Sequence, residues 1–178
     1  GGDHANRRLE GTPHDADTTV TDAPLWDHDL AVSTGYTMYD STHSSSIDNT
    51  VDTSPNAMSR LCLSCHDGTV GVDAFGGRTG TVFLSTDAAT DGYIGKDLTK
   101  HHPISIVYDN TVDTGLNATT TGIGSGSLTV ADLLYTSGGN AKVECASCHD
   151  VHNQGESTAS LLVVSNAASA LCLGCHDK

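Results

Sequence analysis

Most of this chain lacks the hydrophobic periodicity of a helix or a strand. Residues 1 to 60 form a polar arm rich in Asp, Thr and Ser, with no sustained helical or alternating pattern. Residues 69 to 140 are an insert rich in Gly, Thr and Ser. Within this insert, short strands are predicted at Thr81 to Ser85 and Ile104 to Tyr108, and Leu128 to Leu134 is either a strand or a helix.

The clearest helical signal precedes the first cysteine pair. Ser54 is predicted to open a short helix with Pro55 at its first position, leading into Cys62. The same text recurs 110 positions later in the chain. The matching positions are Asn56, Ala57, Ser59, Leu61, Cys62, Leu63, Cys65, His66 and Asp67 with Asn166, Ala167, Ser169, Leu171, Cys172, Leu173, Cys175, His176 and Asp177. Nine identities at one offset indicate an internal duplication.

All six cysteines fall into three Cys-x-x-Cys-His motifs, which span 62–66, 145–149 and 172–176. Covalent haem attachment needs this pattern, because two thiols react with the two vinyl groups of one porphyrin and the adjacent imidazole binds its iron. The predicted attachment residues are Cys62, Cys65, Cys145, Cys148, Cys172 and Cys175, and the predicted proximal iron ligands are His66, His149 and His176. The motifs therefore predict three haem c groups.

Two other uses of paired cysteines explain the pattern less well. Disulfides also use an even number of cysteines, but they place no demand on the following residue. A tetrahedral zinc site takes two pairs, or one pair with two spaced histidines, so three pairs leave one unmatched.

The composition is thin for a side-chain core. The 178 residues include only two Phe, one Trp and five Tyr, with 37% hydrophobic residues and 19 Gly. Three haems would supply large apolar surfaces for a loop-rich chain to surround, so the cofactors are expected to form much of the core. We predict a single triheme domain over residues 1–178, made mostly of irregular coil with a few short helices and short strands organised around the haems.

The supply of ligands favours bis-histidine coordination. Seven histidines lie outside the motifs, against two methionines, and Met58 is too near Cys62 to reach the far face of that haem. Histidine ligation gives a lower reduction potential than methionine ligation, and a six-coordinate iron has no open position for a substrate. The sequence therefore favours electron transfer over enzymatic catalysis.

Two of these histidines have informative positions. His152 lies three residues after His149, too close to reach the opposite face of the same haem, so it either binds a different haem or none. If it binds another haem, the two haems are close together. Pro103 favours an extended backbone at His102, which suits the presentation of a ligand. At most one of His101 and His102 is expected to bind iron.

The net charge of −14 argues against a nucleic-acid or anionic-membrane partner. The longest apolar runs, such as Leu161 to Val164, are far too short to span a bilayer. The polar opening Gly1-Gly2-Asp3 suggests a mature terminus after export, because c-type haem is attached outside the cytoplasm in bacteria and archaea. We therefore expect an extracellular or periplasmic protein.

The motifs and their flanks resemble multihaem c-type cytochromes in which CxxCHxxH is followed by LCxxCH. Cys145 to His152 followed by Leu171 to His176 fits one full pair. Thr12 to His28 followed by Leu61 to His66 is similar to a second pair whose first haem site is lost, because Arg7-Arg8-Leu9-Glu10-Gly11 stands where a CxxCH usually lies. The insert is not covered by this resemblance. It implies coil and short helices built around closely spaced haems.

The resemblance also implies distal iron ligands. His152 would ligate the haem of His176, and His14 would ligate the haem of His66, with His28 as the reserve. His102 would then complete the haem of His149. His4 and His43 are not expected to ligate iron within the chain.

Some relatives of this kind polymerise into extracellular filaments, with a histidine of one subunit binding a haem of the next. The resemblance thus implies an electron-conducting filament of copies of this chain that contacts other redox proteins or extracellular acceptors. The alternative is a discrete periplasmic electron shuttle that docks through its acidic face. A third possibility, a haem oxidoreductase, requires an iron with an open position.

Overall fold

The computed structural model describes residues 28–74, 79–85, 92–124, 127–152 and 161–177. The chain divides into two compact units. The one-motif unit contains the described part of Arg8–Tyr39 together with Asp52–Pro103, and so carries the first motif. The two-motif unit contains Asp40–Val51 and Ile104–Lys178, and so carries the second and third motifs.

The main element of the one-motif unit is helix α1, Ala57–His66. It begins later than predicted, because Asn56 has an extended backbone (φ −65°, ψ 163°) and caps the helix, leaving Pro55 outside it. The predicted start at Pro55 was therefore wrong. Leu61 and Leu63 on α1 are buried, and Leu30, Ala57 and Met58 pack around Leu61. The first motif thus ends a helix whose other side is anchored in the unit.

The two-motif unit contains a three-stranded antiparallel sheet in the order β1-β3-β2. Its strands are β1 (Ile106–Val107), β2 (Tyr135–Ser137) and β3 (Asn140–Val143). Gly138 and Gly139 join β2 to β3, both with positive φ (60° and 80°). A two-residue hairpin turn needs such angles, and glycine adopts them without a steric penalty. One residue, Glu144, separates the end of the hairpin from the second motif.

The predictions for the insert had mixed outcomes. Part of Ile104 to Tyr108 is a strand, β1. The ambiguous segment at 128–134 forms a 3-10 helix, Val130–Leu133, capped reciprocally by Thr129 and Asp132. The predicted strand at Thr81 to Ser85 was wrong, since this segment has irregular backbone. The N–H groups of Thr81 and Val82 donate to Asp73 Oδ1 at 2.8 and 2.9 Å instead of to a neighbouring strand.

The second and third motifs lie on very short helices, α2 (Cys145–Cys148) and α3 (Ala170–Cys175). A 3-10 turn, Ala167–Ser169, precedes α3. The buried core of this unit includes Tyr108, Ile123, Leu128, Val130, Leu133, Val163, Val164 and Leu171. The prediction of coil with a few short helices and short strands is confirmed. None of the helices in the described ranges is long and apolar enough to cross a bilayer.

Candidate haem-attachment sites

Each of the three motifs places its cysteines on a helix. Cys62 and Cys65 lie in the second half of α1, Cys145 and Cys148 are the first and last residues of α2, and Cys172 and Cys175 lie in α3. Residues three apart on a helix share one face. The helices therefore direct both thiols of a motif to the same side, as attachment to one porphyrin requires.

The residue before the second cysteine anchors each motif. Ser64, Ser147 and Gly174 are all buried. Ser64 Oγ donates to the Arg60 carbonyl at 2.6 Å and accepts the Ala31 N–H at 2.9 Å. Ser147 Oγ accepts the Glu144 N–H at 2.9 Å. Because this position faces inward in all three motifs, it orients the cysteines on either side of it.

The motif histidines leave their helices in two ways. His149 and His176 follow the last helical residue with extended backbone, and their N–H groups donate to Cys145 O and Cys172 O at 3.1 and 2.9 Å. His66 is instead the last residue of α1. Its Nδ1 lies 2.6 Å from the carbonyl oxygen of Gly92. Donation from Nδ1 fixes the tautomer that leaves Nε2 with its lone pair, which is the form that binds a metal.

The two-motif unit brings its two motifs together. Cys148 and Cys175 both pack against its hydrophobic core. Burial, followed by the charges of the nearby Cys175, Cys172 and Cys145 thiols, raises the pKa of the Cys148 thiol to about 11. Burial also raises the pKa of Cys175, with a smaller contribution from Cys172. The second and third motifs are therefore close enough for their thiols to interact electrostatically.

A clamp of two side chains, Tyr108 and Asn117, holds the third motif. Asn117 Nδ2 donates to the carbonyls of Leu173 and Gly174 at 3.0 and 3.1 Å. The Tyr108 hydroxyl lies 3.0 Å from the carbonyl oxygen of Cys175 and 2.8 Å from that of Asn117. Burial, followed by the charges of Cys175 and Asp113, raises the pKa of Tyr108 to about 12. Sequence reasoning did not identify this clamp, because its partners are far apart in the chain.

A buried carboxylate follows the first motif. Asp67 accepts hydrogen bonds from the Tyr36 hydroxyl at 2.5 Å and from the Thr69 N–H at 2.7 Å. Lys96 Nζ lies 3.9 Å from Oδ2 of Asp67, the same oxygen that accepts from Tyr36, and 4.7 Å from the centroid of the Tyr36 ring. This polar group fixes the backbone directly after His66. The Asp that follows each of the three motif histidines was the sequence signal that could have found it.

The predicted distal histidines are placed as follows. His152 is exposed and its backbone N–H donates to Asp150 Oδ1 at 3.0 Å. His102 is exposed, with Nδ1 2.9 Å from the carbonyl oxygen of Pro103. His152 is in the same unit as His176, whereas His102 and His149 are in different units. His14 lies outside the described residues. His28, the reserve, is buried beside Cys65, with 3.5 Å between Nε2 and Sγ.

The surroundings of the motifs fit a porphyrin. Exposed apolar side chains lie within the third motif at Leu173, just after the second motif at Val151, and at Leu161. Leu161 is next to the second motif, because its carbonyl oxygen accepts the Asp150 N–H at 2.6 Å. Near the first motif, the exposed ring of Tyr93 lies against Gly68. Exposed apolar side chains next to paired thiols are what the face of a bound haem would cover. The six thiols are free of disulfides.

The described residues do not assemble an alternative metal site. Across 28–74, 79–85, 92–124, 127–152 and 161–177, no three His, Cys, Asp or Glu side chains gather as they would around a metal ion. The zinc alternative considered from the sequence therefore finds no tetrahedral set among these residues.

Comparison with known proteins adds a family match over part of the chain. Residues 139–178 match the family model described as a doubled CXXCH motif. This match covers β3 from before its start, the second and third motifs, and all of α2 and α3. No curated protein matches the chain. Together with the geometry of the thiols, the match supports a multihaem c-type cytochrome with covalently bound haem c and a role in electron transfer.

Proposed function

We propose that this protein is a triheme electron-transfer cytochrome with low-potential, bis-histidine haems that assembles into an extracellular conducting filament. The observation that carries the electron-transfer role is the proximity of the second and third motifs, whose Cys148 and Cys175 pack on one core. Haem iron supplies one-electron redox chemistry when bound. The protein's part is to hold the attachment sites close together and to fill the axial positions.

His152 follows the pattern of the paired motifs, and we assign it to the iron of His176. His102 lies in the insert, outside that pattern, and we assign it to the iron of His149 because that haem is then the one without a distal ligand. A contact of His102 supports its assignment, because Nδ1 lies 2.9 Å from the carbonyl oxygen of Pro103 and donation there would leave the lone pair on Nε2. Exposure of His152 and His102 keeps both side chains accessible for ligation. An iron with two such ligands has no open position for substrate.

Haem counting tests the electron-transfer proposal. The mass of the intact protein should exceed that of the polypeptide by three haems, and the reduced protein should be low-spin and should not bind carbon monoxide. Replacing one pair of cysteines by alanine, for example Cys172 with Cys175, should remove one haem and leave two. A wild-type count other than three, or binding of carbon monoxide to the reduced protein, would contradict the proposal.

Filament assembly is supported by the supply of histidines. The chain has 10 histidines, and six are used by three bis-histidine haems, so 10 − 6 = 4 remain. A histidine beyond the needs of its own chain could bind a haem of a neighbouring subunit by taking the place of that haem's intrachain distal ligand. Electron microscopy of the protein as secreted by its own cells tests this. Uniform filaments are expected, and discrete particles of one chain's mass would contradict assembly.

A discrete periplasmic shuttle is the second candidate function, and the charge of the protein favours it. The net charge of −14 would steer the protein to basic redox partners and make association depend strongly on salt. Discrete particles in the microscope, together with reduction by a partner that slows as salt is added, would support the shuttle over the filament.

A further inference from the structure

His28 is a buried histidine of the one-motif unit, with a relative exposure of 2%. Its Nδ1 lies 2.7 Å from the carbonyl oxygen of Asp29, and its Nε2 lies 2.9 Å from the carbonyl oxygen of Gly71. The same Nε2 lies 3.5 Å from Sγ of Cys65. The imidazole is therefore enclosed beside the second cysteine of the first motif.

The two carbonyl contacts pose a hydrogen-bonding problem. A neutral imidazole has one N–H, so it can donate to only one of two carbonyl oxygens. If Nδ1 donates to Asp29, the lone pair of Nε2 can accept the thiol hydrogen of Cys65, whose Sγ lies 3.5 Å away. This donor is lost when Cys65 forms its thioether bond to haem, and iron bound to Nε2 would replace it. A ring N–H donated from Nδ1 to a backbone carbonyl is also the usual second-sphere contact of a histidine that binds metal through Nε2.

The same contact occurs at His66, the proximal ligand of the first motif, whose Nδ1 faces the carbonyl oxygen of Gly92 at 2.6 Å. His28 and His66 thus share the orientation that leaves Nε2 for iron.

The backbone around His28 is tied to the first motif. The Ala31 N–H donates to Ser64 Oγ, between the two cysteines, at 2.9 Å. The Asp29 N–H donates to the carbonyl of Ala74 at 3.2 Å, and Leu30 packs on Leu61 of α1. These contacts tie the three residues after His28 to helix α1 on one side and to Ala74 on the other. The backbone next to His28 is therefore held beside the first motif, and the movement that ligation requires is a turn of the imidazole away from Gly71 O.

We propose that His28, and not His14, is the distal axial ligand of the haem attached at Cys62 and Cys65. This inference rests on the proposed triheme cytochrome. On haem attachment, Nε2 of His28 gives up its contact with the carbonyl of Gly71 and binds iron, while Nδ1 keeps its hydrogen bond to Asp29. The paired-motif pattern instead gives this role to His14 and keeps His28 as the reserve.

Three single variants of the haem-loaded protein test this assignment: His28→Ala, His14→Ala and His43→Ala. The readout is the spin state of the ferric haems by electron paramagnetic resonance and absorption. We expect one haem in three to become high-spin in His28→Ala and none to change in the other two. Added imidazole should restore the low-spin state in His28→Ala, which would not follow if His28 were only a packing residue.

The outcomes separate this inference from the proposed function. A high-spin haem in His14→Ala, or three low-spin haems in His28→Ala, overturns the assignment while the wild-type haem count still supports a triheme cytochrome. A wild-type count other than three contradicts the proposed function itself. If His28→Ala does not accumulate, His28→Met retains a ligand; a raised potential of one low-spin haem is then expected, and unchanged potentials overturn the assignment.

Discussion

In all three motifs the residue before the second cysteine faces the protein interior, but serine and glycine fill this position in different ways. Ser64 and Ser147 fill the inward position with hydroxyls that hydrogen-bond to backbone groups. Gly174 fills it with no side chain, since a Cβ there would lie 2.8 Å from Cγ1 of Ile123, which is fully buried. The third motif therefore reaches the core by close approach of backbone to side chain, without a hydrogen bond from this position.

Replacing Gly174 with Ala should destabilise the haem-loaded protein. Alanine in a helix is normally favoured over glycine by about 1 kcal/mol, but the new methyl group overlaps a buried side chain, and overpacking costs about 1–3 kcal/mol. The clash should win, because Ile123 has no exposed surface into which to move. The free energy of unfolding from denaturant titration measures the effect. The double variant with Ile123→Ala should lose less stability than the sum of the two single variants, and simple additivity would contradict the clash.

At the scale of elements, the two copies of the duplicated text fold differently. The first copy forms the ten-residue helix α1, in which the main-chain carbonyl of Asn56 accepts the Arg60 N–H at 2.9 Å. In the second copy the side chain of Asn166 accepts the Leu171 N–H at 3.2 Å. Leu171 is the counterpart of Leu61, and in this copy a side-chain acceptor takes an N–H that a continuous helix would bond to the carbonyl of Ala167. The break lies at Ala168 and Ser169, which both have left-handed backbone (φ 52°, ψ 33° and φ 62°, ψ 26°).

This break predicts opposite effects of glycine at two neighbouring alanines. Ala168 has left-handed backbone, which costs a residue with a Cβ about 1–2 kcal/mol, whereas Ala170 is helical (φ −57°, ψ −37°). Ala168→Gly should therefore stabilise the protein by about 1 kcal/mol, and the control Ala170→Gly should destabilise it by a similar amount. Denaturant midpoints of the haem-loaded variants compare the two. Equal destabilisation by both would mean that Ala168 is helical in solution.

The parts of the protein that were predictable from sequence are those fixed by local chemistry. The spacing of Cys62, Cys65 and His66 is set by the porphyrin, so the motif can be recognised from the sequence alone. The strand expected at Thr81 to Ser85 was wrong because Asp73 accepts N–H groups that a strand would pair. The Asn117 clamp joins residues 56 and 57 positions apart. Local periodicity carries no information on such pairings, which tertiary structure decides.

At the scale of the whole molecule, side-chain cores are small and the motifs lie at their edges. Among the described residues of the one-motif unit, Leu30, Ala57 and Met58 pack around the buried Leu61. The larger core of the other unit includes Cys148 and Cys175 among its packed neighbours. Attached porphyrins would therefore continue both cores outward over exposed side chains such as Leu173 and Tyr93. The cofactors are thus expected to be part of what the chain folds around.

Removing the haems should therefore abolish cooperative folding. The conformational entropy of a glycine- and threonine-rich chain opposes folding along its whole length, and the apolar burial that offsets it is limited to these small cores when no haem is attached. The haem-free protein, made in cells without the attachment machinery, should show a gradual change in circular dichroism on heating, whereas the haem-loaded protein should show a sigmoidal transition. A sigmoidal transition in the haem-free protein would show that side chains alone sustain a fold. The core around Ile123 and Val130, both fully buried, would be its source, and Val130→Ala would then lower the transition temperature.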